Sequence, residues 1–86
     1  MDKRYGLIKA LFREGDEYRF KDIFDIVPKP IVAKDLGMNY HTFTRKVEDP
    51  ERFTLREIIK MAEMFAIGPR DLCDRIFIEI EENYHD

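Results

Sequence analysis

The segment from Ile31 to Val47 constrains the fold of this chain more than any other stretch. Apolar residues recur at helical spacing on both sides of Gly37, which predicts two short helices joined by a tight turn. Ala33 is small enough to let the two helices cross closely, and Gly37 tolerates the positive φ of a sharp turn. Asn39 suits the N-cap of the second helix because its side-chain oxygen can accept hydrogen bonds from backbone amides. The segment therefore predicts a helix-turn-helix over about residues 30–47.

Helical spacing continues on the N-terminal side of this segment. It predicts an extra helix over about residues 3–14, followed by Gly15 as a C-terminal cap. Apolar residues between positions 20 and 27 predict a further helix. Pro28 must end that helix, because proline cannot continue the backbone hydrogen bonding.

Two more helices are predicted on the C-terminal side. Thr54 and Glu57 form a capping-box pattern directly before an apolar run. Gly68 and Pro69 separate that helix from an acidic C-terminal helix over about residues 70–84. The period-two alternation over residues 77–81 leaves a terminal strand as the alternative, although the longer window fits the helical period.

These elements predict an all-α fold, a small bundle of about five to six helices that forms one domain over residues 1–86. Forty-four per cent hydrophobic residues, with seven Phe and four Tyr, are enough for one modest core. Gly37 is expected to have a positive φ. The residues expected to be buried together are Ala33, Leu36, Phe43, Leu55, Ile58, Ile59 and Ala62.

The composition indicates the cellular compartment and excludes some kinds of binding site. Cys73 is the only cysteine, so an internal disulfide and a cysteine-based metal cluster are excluded. No run approaches the ~18 consecutive apolar residues of a membrane span, and no signal-like N-terminus is present. We therefore expect a cytoplasmic protein without a membrane partner.

Charge is distributed unevenly along the chain, although the net charge is only −3. Residues 29–60 carry seven Lys and Arg against five Asp and Glu, whereas residues 61–86 carry two against seven. A mildly basic middle and an acidic tail fit a protein whose middle faces a polyanion and whose tail points away from it.

The second helix of this segment has an apolar face, which we expect to turn towards the core. Polar side chains then remain on its outer face. Such side chains can hydrogen-bond base edges or hold phosphates. The residues expected to point outward are Tyr40, His41, Thr42, Thr44, Arg45 and Lys46.

The sequence resembles the lambda-repressor-like helix-turn-helix family, the group of phage repressors and Cro proteins. The resemblance runs from about Phe20 to Ile76. It rests on Val32-Ala33-x-x-Leu36-Gly37-Met38 with Phe43, and on Thr54-Leu55-x-x-Ile58-x-x-Met61-Ala62-x-x-Phe65 downstream.

The resemblance implies double-stranded DNA as the partner and the helix from about Asn39 to Val47 as the element in the major groove. The residues that would face the bases are Asn39, Tyr40, His41, Thr42, Thr44 and Arg45. The residues that would contact phosphates are Lys29, Lys46, Arg52 and Thr54, together with the amide of Leu55. The function expected is that of a bacterial or phage transcriptional regulator that binds a specific DNA sequence.

Enzymatic activity is not expected. The sequence has no glycine-rich phosphate loop, nucleophile elbow or paired carboxylates, and its two histidines, His41 and His85, lack metal-ligand spacing. No cofactor, metal or small-molecule substrate is predicted. The alternative is a protein–protein interaction module, antitoxin-like or an adaptor, that keeps the fold without binding DNA.

A homodimer is also expected, because two half-sites need two copies of a domain this small. The C-terminal helix offers the candidate surface. Its apolar stripe consists of Leu72, Ile76, Phe77, Ile80 and Tyr84.

Overall fold

Six α-helices follow one another in the computed structural model, which describes residues 2–14 and 18–84. They are α1 (Tyr5–Glu14), α2 (Ile23–Ile26), α3 (Lys29–Leu36), α4 (Tyr40–Glu48), α5 (Leu55–Phe65) and α6 (Pro69–Asn83). Short 3₁₀ turns at Phe20–Asp22 and Pro50–Arg52 precede α2 and α5. Within the described ranges there is no β-strand.

The predicted all-α class and the number of helices are therefore confirmed. The alternative of a terminal strand is wrong, because α6 continues as one helix to Asn83. The cap predicted at Gly15 lies outside the described residues, as does His85. The radius of gyration, 12.0 Å, equals the ~12 Å of a compact domain of this length.

Local chemistry explains where the central helices begin and end. Pro28 precedes α3, and Gly37 ends it in the left-handed conformation predicted, with φ 70°. Thr54 and Glu57 close the predicted capping box at the start of α5, where each side chain accepts from the other residue's amide. Ala66 ends α5 with φ 57°, the only positive φ at a non-glycine residue in the described structure.

An aromatic cluster fills the centre of the domain. Phe43 of α4 packs edge-on against Phe24 of α2, with ring centroids 5.5 Å apart, and also contacts Phe53 at 6.0 Å. Phe20 joins the cluster through Phe24 and Phe53. The residues predicted for the core and found buried are Ala33, Leu36, Phe43, Ile58 and Ala62.

Two residues predicted for the core are exposed instead. Leu55 keeps 72% of its surface accessible and Ile59 keeps 53%. The buried stripe of α5 passes through Ile58, Met61 and Phe65. At ~100° per residue, Leu55 and Ile59 both lie to one side of that stripe, so helical spacing placed them near the core but not in it.

The predicted stripe of α6 also needs correction. Leu72 and Ile76 are buried, whereas Phe77 is 58% exposed and Tyr84 more so. Glu79 occupies an inward position with only 3% exposure, and its Oε2 lies 3.6 Å from Lys21 Nζ. A dimer surface that includes Leu72 and Ile76 is therefore wrong, because these side chains already belong to the core.

The two C-terminal helices, α5 and α6, pack against each other, and α6 also reaches the turn at Pro50–Arg52. At the far end of α6, the Tyr84 hydroxyl donates to Glu51 Oε2 at 2.6 Å, and the Asn83 amide reaches the Glu48 carbonyl at 3.5 Å. The bond between Tyr84 and Glu51 raises the pKa of the Tyr84 hydroxyl and lowers the pKa of the Glu51 carboxyl. On the opposite side of the domain, the Tyr5 hydroxyl donates to Asp35 Oδ2 at 2.8 Å and ties α1 to α3.

Candidate nucleic-acid interface

The turn between α3 and α4 sets the direction in which α4 points. The amide of Met38 donates to the Ala33 carbonyl at 2.9 Å, and the amide of Gly37 donates to the Lys34 carbonyl at 3.0 Å. This pair of bonds is a Schellman motif, which requires the left-handed residue that glycine provides. A Cβ added at Gly37 would meet nothing within 4 Å, so the backbone conformation alone favours glycine here.

The first turn of α4 is capped as predicted. Asn39 Oδ1 accepts from the amides of His41 at 2.8 Å and of Thr42 at 3.4 Å. The carboxamide oxygen is therefore occupied, and Asn39 can offer a ligand only the NH₂ end of its side chain. Capping orients the N-terminus of α4, where the helix dipole favours a nearby anion.

Three polar side chains share the exposed face of α4. His41, Thr42 and Arg45 are all exposed, while Phe43 and Val47 on the opposite face are buried. Residues three and four apart lie on one side of a helix, so Arg45 stands beside both His41 and Thr42. The Arg45 guanidinium makes no hydrogen bond or ion pair with any residue in the described ranges.

Tyr40 and Lys29 border the same end of α4. They line an open groove of about 530 Å³ between α2, the start of α3 and α4, which Lys21 and the carboxylates of Asp22, Asp25 and Glu48 also line. The Tyr40 ring is half exposed and meets the His41 ring edge-on at 5.9 Å. The structure therefore brings Lys29 and Tyr40 to one groove and places the His41 ring next to Tyr40.

Thr44 and Lys46 do not point outward as predicted. Thr44 is half-buried, and its hydroxyl is enclosed without a hydrogen-bond partner in the described structure. The ammonium of Lys46 lies 2.8 Å from both carboxylate oxygens of Glu57. Both residues flank the buried side of Phe43 and Val47, and Glu57 of α5 holds the Lys46 ammonium there.

Glu57 joins the two parts of the candidate interface. Its Oε1 also accepts the Thr54 amide at 2.9 Å, so one carboxylate caps α5 and holds Lys46 of α4. Burial favours the neutral acid, but the bonds from Lys46 and Thr54 outweigh it and lower the pKa of Glu57. The capping pattern predicted the bond to Thr54. Nothing in the sequence spacing pointed to Lys46 as its second partner.

These bonds change what the start of α5 can offer to a phosphate. The amide of Thr54 is already occupied by Glu57, so the predicted contact through Thr54 loses that donor. The amides of Leu55 and Arg56 remain at the first turn, where a helix has no acceptor of its own for them. Arg52 is exposed and lies 3.4 Å from Asp49, a weak pair that an anion can displace.

Charge changes sign along α4. Glu48 ends the helix on its exposed side, and Asp49 and Glu51 follow in the next turn. The neutral polar residues Tyr40, His41 and Thr42 lie in the first turn of the helix, and the basic residues Arg45 and Lys46 lie in its last turn. Carboxylates also lie near the start of the helix, because Asp22 and Asp25 line the groove that Lys29 and Tyr40 share.

The described ranges lack the features of a metal centre and of a membrane span. They contain no cluster of three or more His, Cys, Asp or Glu side chains arranged to hold a metal ion. None of their helices combines the length and the apolar character needed to cross a bilayer.

Comparison with known proteins adds no further assignment at this point. No protein-family model, no curated protein and no solved structure matches the chain.

Proposed function

We propose that this chain is a DNA-binding protein that recognises a specific sequence, and that it acts as a transcriptional regulator of bacterial or phage type. The exposed face of α4 would enter the major groove. One observation carries the proposal. His41, Thr42 and Arg45 form an exposed polar face along α4, and the Arg45 guanidinium has no partner in the described part of the chain.

The chemistry of this face matches base edges. An arginine can donate two parallel hydrogen bonds to O6 and N7 of guanine, the commonest specific contact in the major groove. Histidine and threonine can donate to or accept from neighbouring bases. Asn39 contributes only its NH₂ group, because its oxygen caps α4. Thr44 contributes no contact, since its hydroxyl is enclosed.

Phosphate contacts would flank the helix on both sides. Lys29 begins α3 next to the groove that Tyr40 lines, and Arg52 precedes the free amides at the start of α5. Backbone amides at a helix N-terminus suit an anion through both hydrogen bonding and the helix dipole. Contacts of this kind position the protein without reading the sequence.

The net negative charge does not oppose this geometry. The excess acid lies mainly in residues 61–86, and the last turn of α6 lies beside Glu48 and Glu51, at the C-terminal end of α4. A local basic edge steers an anion even when the net charge is negative, because charges beyond ~10 Å are largely screened at physiological salt.

Selection of bound duplexes from a random library tests the proposal. Enrichment of one short motif, present singly or as an inverted repeat, is the expected result. A chain that enriches no motif even at low salt would not be a sequence-specific regulator. Arg13→Ala, on the exposed surface of α1, serves as a control and should enrich the same motif as the unchanged protein.

A protein–protein interaction module is the second candidate, and one observation favours it. Leu55, Ile59 and Phe77 are large apolar side chains left more than half exposed. Absence of any DNA binding, together with saturable binding of another protein that Ile59→Asp abolishes, would favour this candidate.

A further inference from the structure

A carboxylate continues the exposed side of α4 that carries His41 and Arg45. Glu48 follows Arg45 by three residues and His41 by seven, a spacing that places all three side chains on one side of a helix. Glu48 is exposed, and it still holds a helical position because the amide of Asp49 donates to the Arg45 carbonyl at 2.9 Å. This side of α4 therefore runs from a histidine through an arginine to a carboxylate, which can only accept hydrogen bonds.

The Glu48 carboxylate makes no hydrogen bond or ion pair with any residue in the ranges that the structure describes. This holds even for Arg45, although side chains three residues apart on a helix can reach each other. A negative charge on the last residue of a helix is also unfavourable, because the helix dipole places partial negative charge at that end. Sequences break such local rules most often at functional sites.

Base edges offer this carboxylate one well-matched partner. In the major groove the N4 amino group of cytosine donates, whereas guanine and thymine present oxygen acceptors that repel a carboxylate. The N6 amino group of adenine also donates, but it stands beside N7, which is an acceptor. A carboxylate on a helix that enters the groove therefore favours cytosine and penalises the other bases.

We propose that Glu48 is a specificity-determining residue, which accepts a hydrogen bond from the N4 amino group of a cytosine while Arg45 contacts a guanine. The inference rests on the proposed function, because it requires that the exposed face of α4 enters the major groove. The two residues are ~4.5 Å apart along the helix axis, close to the ~3.4 Å step between base pairs. The cytosine should therefore belong to the base pair next to the one that Arg45 reads.

Selection from the random duplex library locates both base pairs. The unchanged chain should enrich a motif in which two G·C pairs are neighbours. Arg45→Ala should relax the preference at one of them and Glu48→Gln at the other. Glutamine has nearly the shape of glutamate but can donate as well as accept, so it no longer rejects guanine and thymine. The affinity ratio that favours cytosine should fall by roughly fivefold or more, the lower end of what one mismatched base pair costs.

Glu63→Gln is the matched control for the change of charge. Glu63 is exposed in an opening beside Asp35 and Lys60 that no residue of α4 lines. This variant should keep every base preference of the unchanged chain.

Thermal unfolding gives a readout without DNA. Glu48→Gln should slightly raise the unfolding midpoint, because it removes a negative charge from the C-terminal end of α4. A lower midpoint would show that the carboxylate has a structural partner and would contradict the proposal.

The outcomes of the selection separate this proposal from the proposed function. If the unchanged chain enriches a motif and Glu48→Gln alters no base preference, Glu48 does not read DNA, while the proposed function stands. If Glu48→Gln and Arg45→Ala relax the same base pair, the carboxylate acts through Arg45 and the proposal is wrong. Stronger binding of every duplex without a change of motif would mean that Glu48 only repels DNA. A chain that enriches no motif overturns the proposed function, and this inference with it.

Discussion

The ammonium of Lys46 lies 2.8 Å from both carboxylate oxygens of Glu57 and joins α4 to the first turn of α5. Their side chains are only 18% and 24% exposed. A lysine on the helix proposed to enter the groove is therefore already paired inside the protein. Its contribution to binding would come from holding α4 in place and not from a contact with DNA.

Lys46→Met should lower the free energy of unfolding by about 1 kcal/mol, because it leaves a partly buried carboxylate without its cation. Glu57→Gln should have a similar effect, and the double variant should cost less than the sum of the two single changes. Urea unfolding of the unchanged protein, the two single variants and the double variant measures the coupling energy between Lys46 and Glu57.

The salt dependence of DNA binding distinguishes two roles for Lys46, positioning α4 and contacting a phosphate. If Lys46 only positions α4, Lys46→Met leaves the salt slope of DNA binding unchanged. A slope reduced by about one ion would show that Lys46 leaves Glu57 to neutralise a phosphate.

Acid should weaken this junction. The bonds from Lys46 and Thr54 hold the pKa of Glu57 below its ordinary value of 4.5. The stabilisation is complete above that ordinary value and is lost as the pH falls through the lower folded-state pKa. The difference in unfolding free energy between the unchanged protein and Glu57→Gln should therefore be largest above pH 4.5 and shrink as the pH falls below it. A difference that stays constant as the solution is acidified below pH 4.5 would contradict the lowered pKa of Glu57.

Two positions of left-handed backbone should respond in opposite directions. Gly37→Ala should destabilise the domain by ~1–2 kcal/mol, because the φ of 70° at this position strains a residue that carries a Cβ. The added Cβ would meet no other atom, so the loss measures the backbone strain alone. Ala66→Gly should stabilise it, by up to ~1 kcal/mol, since φ is 57° at an alanine. Thermal unfolding of both variants measures the pair. Equal shifts of the same sign would contradict the backbone argument.

Two apolar residues of α5 should differ sharply in their cost. Ile58→Ala removes buried atoms and should cost ~2–5 kcal/mol. Leu55→Ala removes atoms that are 72% exposed and should cost less than ~1 kcal/mol in the monomer. Denaturant unfolding at low protein concentration makes the comparison, and similar losses would show that Leu55 is buried in solution.

The sequence predicted features of the fold that depend on a few neighbouring residues. The cap at Asn39, the capping box at Thr54 and the turn at Gly37 follow from local chemistry. The rotation of each helix about its own axis depends on neighbours far away in the chain. For that reason Leu55 was assigned to the core, and the inward position of Glu79 was missed.

The candidate interface also combines features that neighbouring residues determine with features that depend on distant residues. That His41, Thr42 and Arg45 share an exposed face could be predicted, because buried Phe43 and Val47 fix the opposite face. The pairing of Lys46 with Glu57 spans eleven residues and two helices. No spacing rule within one helix could have predicted it.

Arg45→Ala provides the most direct measurement of the central claim, that the exposed face of α4 with His41, Thr42 and Arg45 reads DNA. Specific and scrambled duplexes are titrated at several salt concentrations, with Lys29→Ala as the comparison. Arg45→Ala should cost ~1–3 kcal/mol on the specific duplex, relax the preference at one base pair and leave binding to the scrambled duplex nearly unchanged. Lys29→Ala should weaken both duplexes alike and reduce the salt slope by about one ion. Equal weakening of both duplexes by Arg45→Ala, or binding to neither duplex at any salt concentration, would contradict the claim.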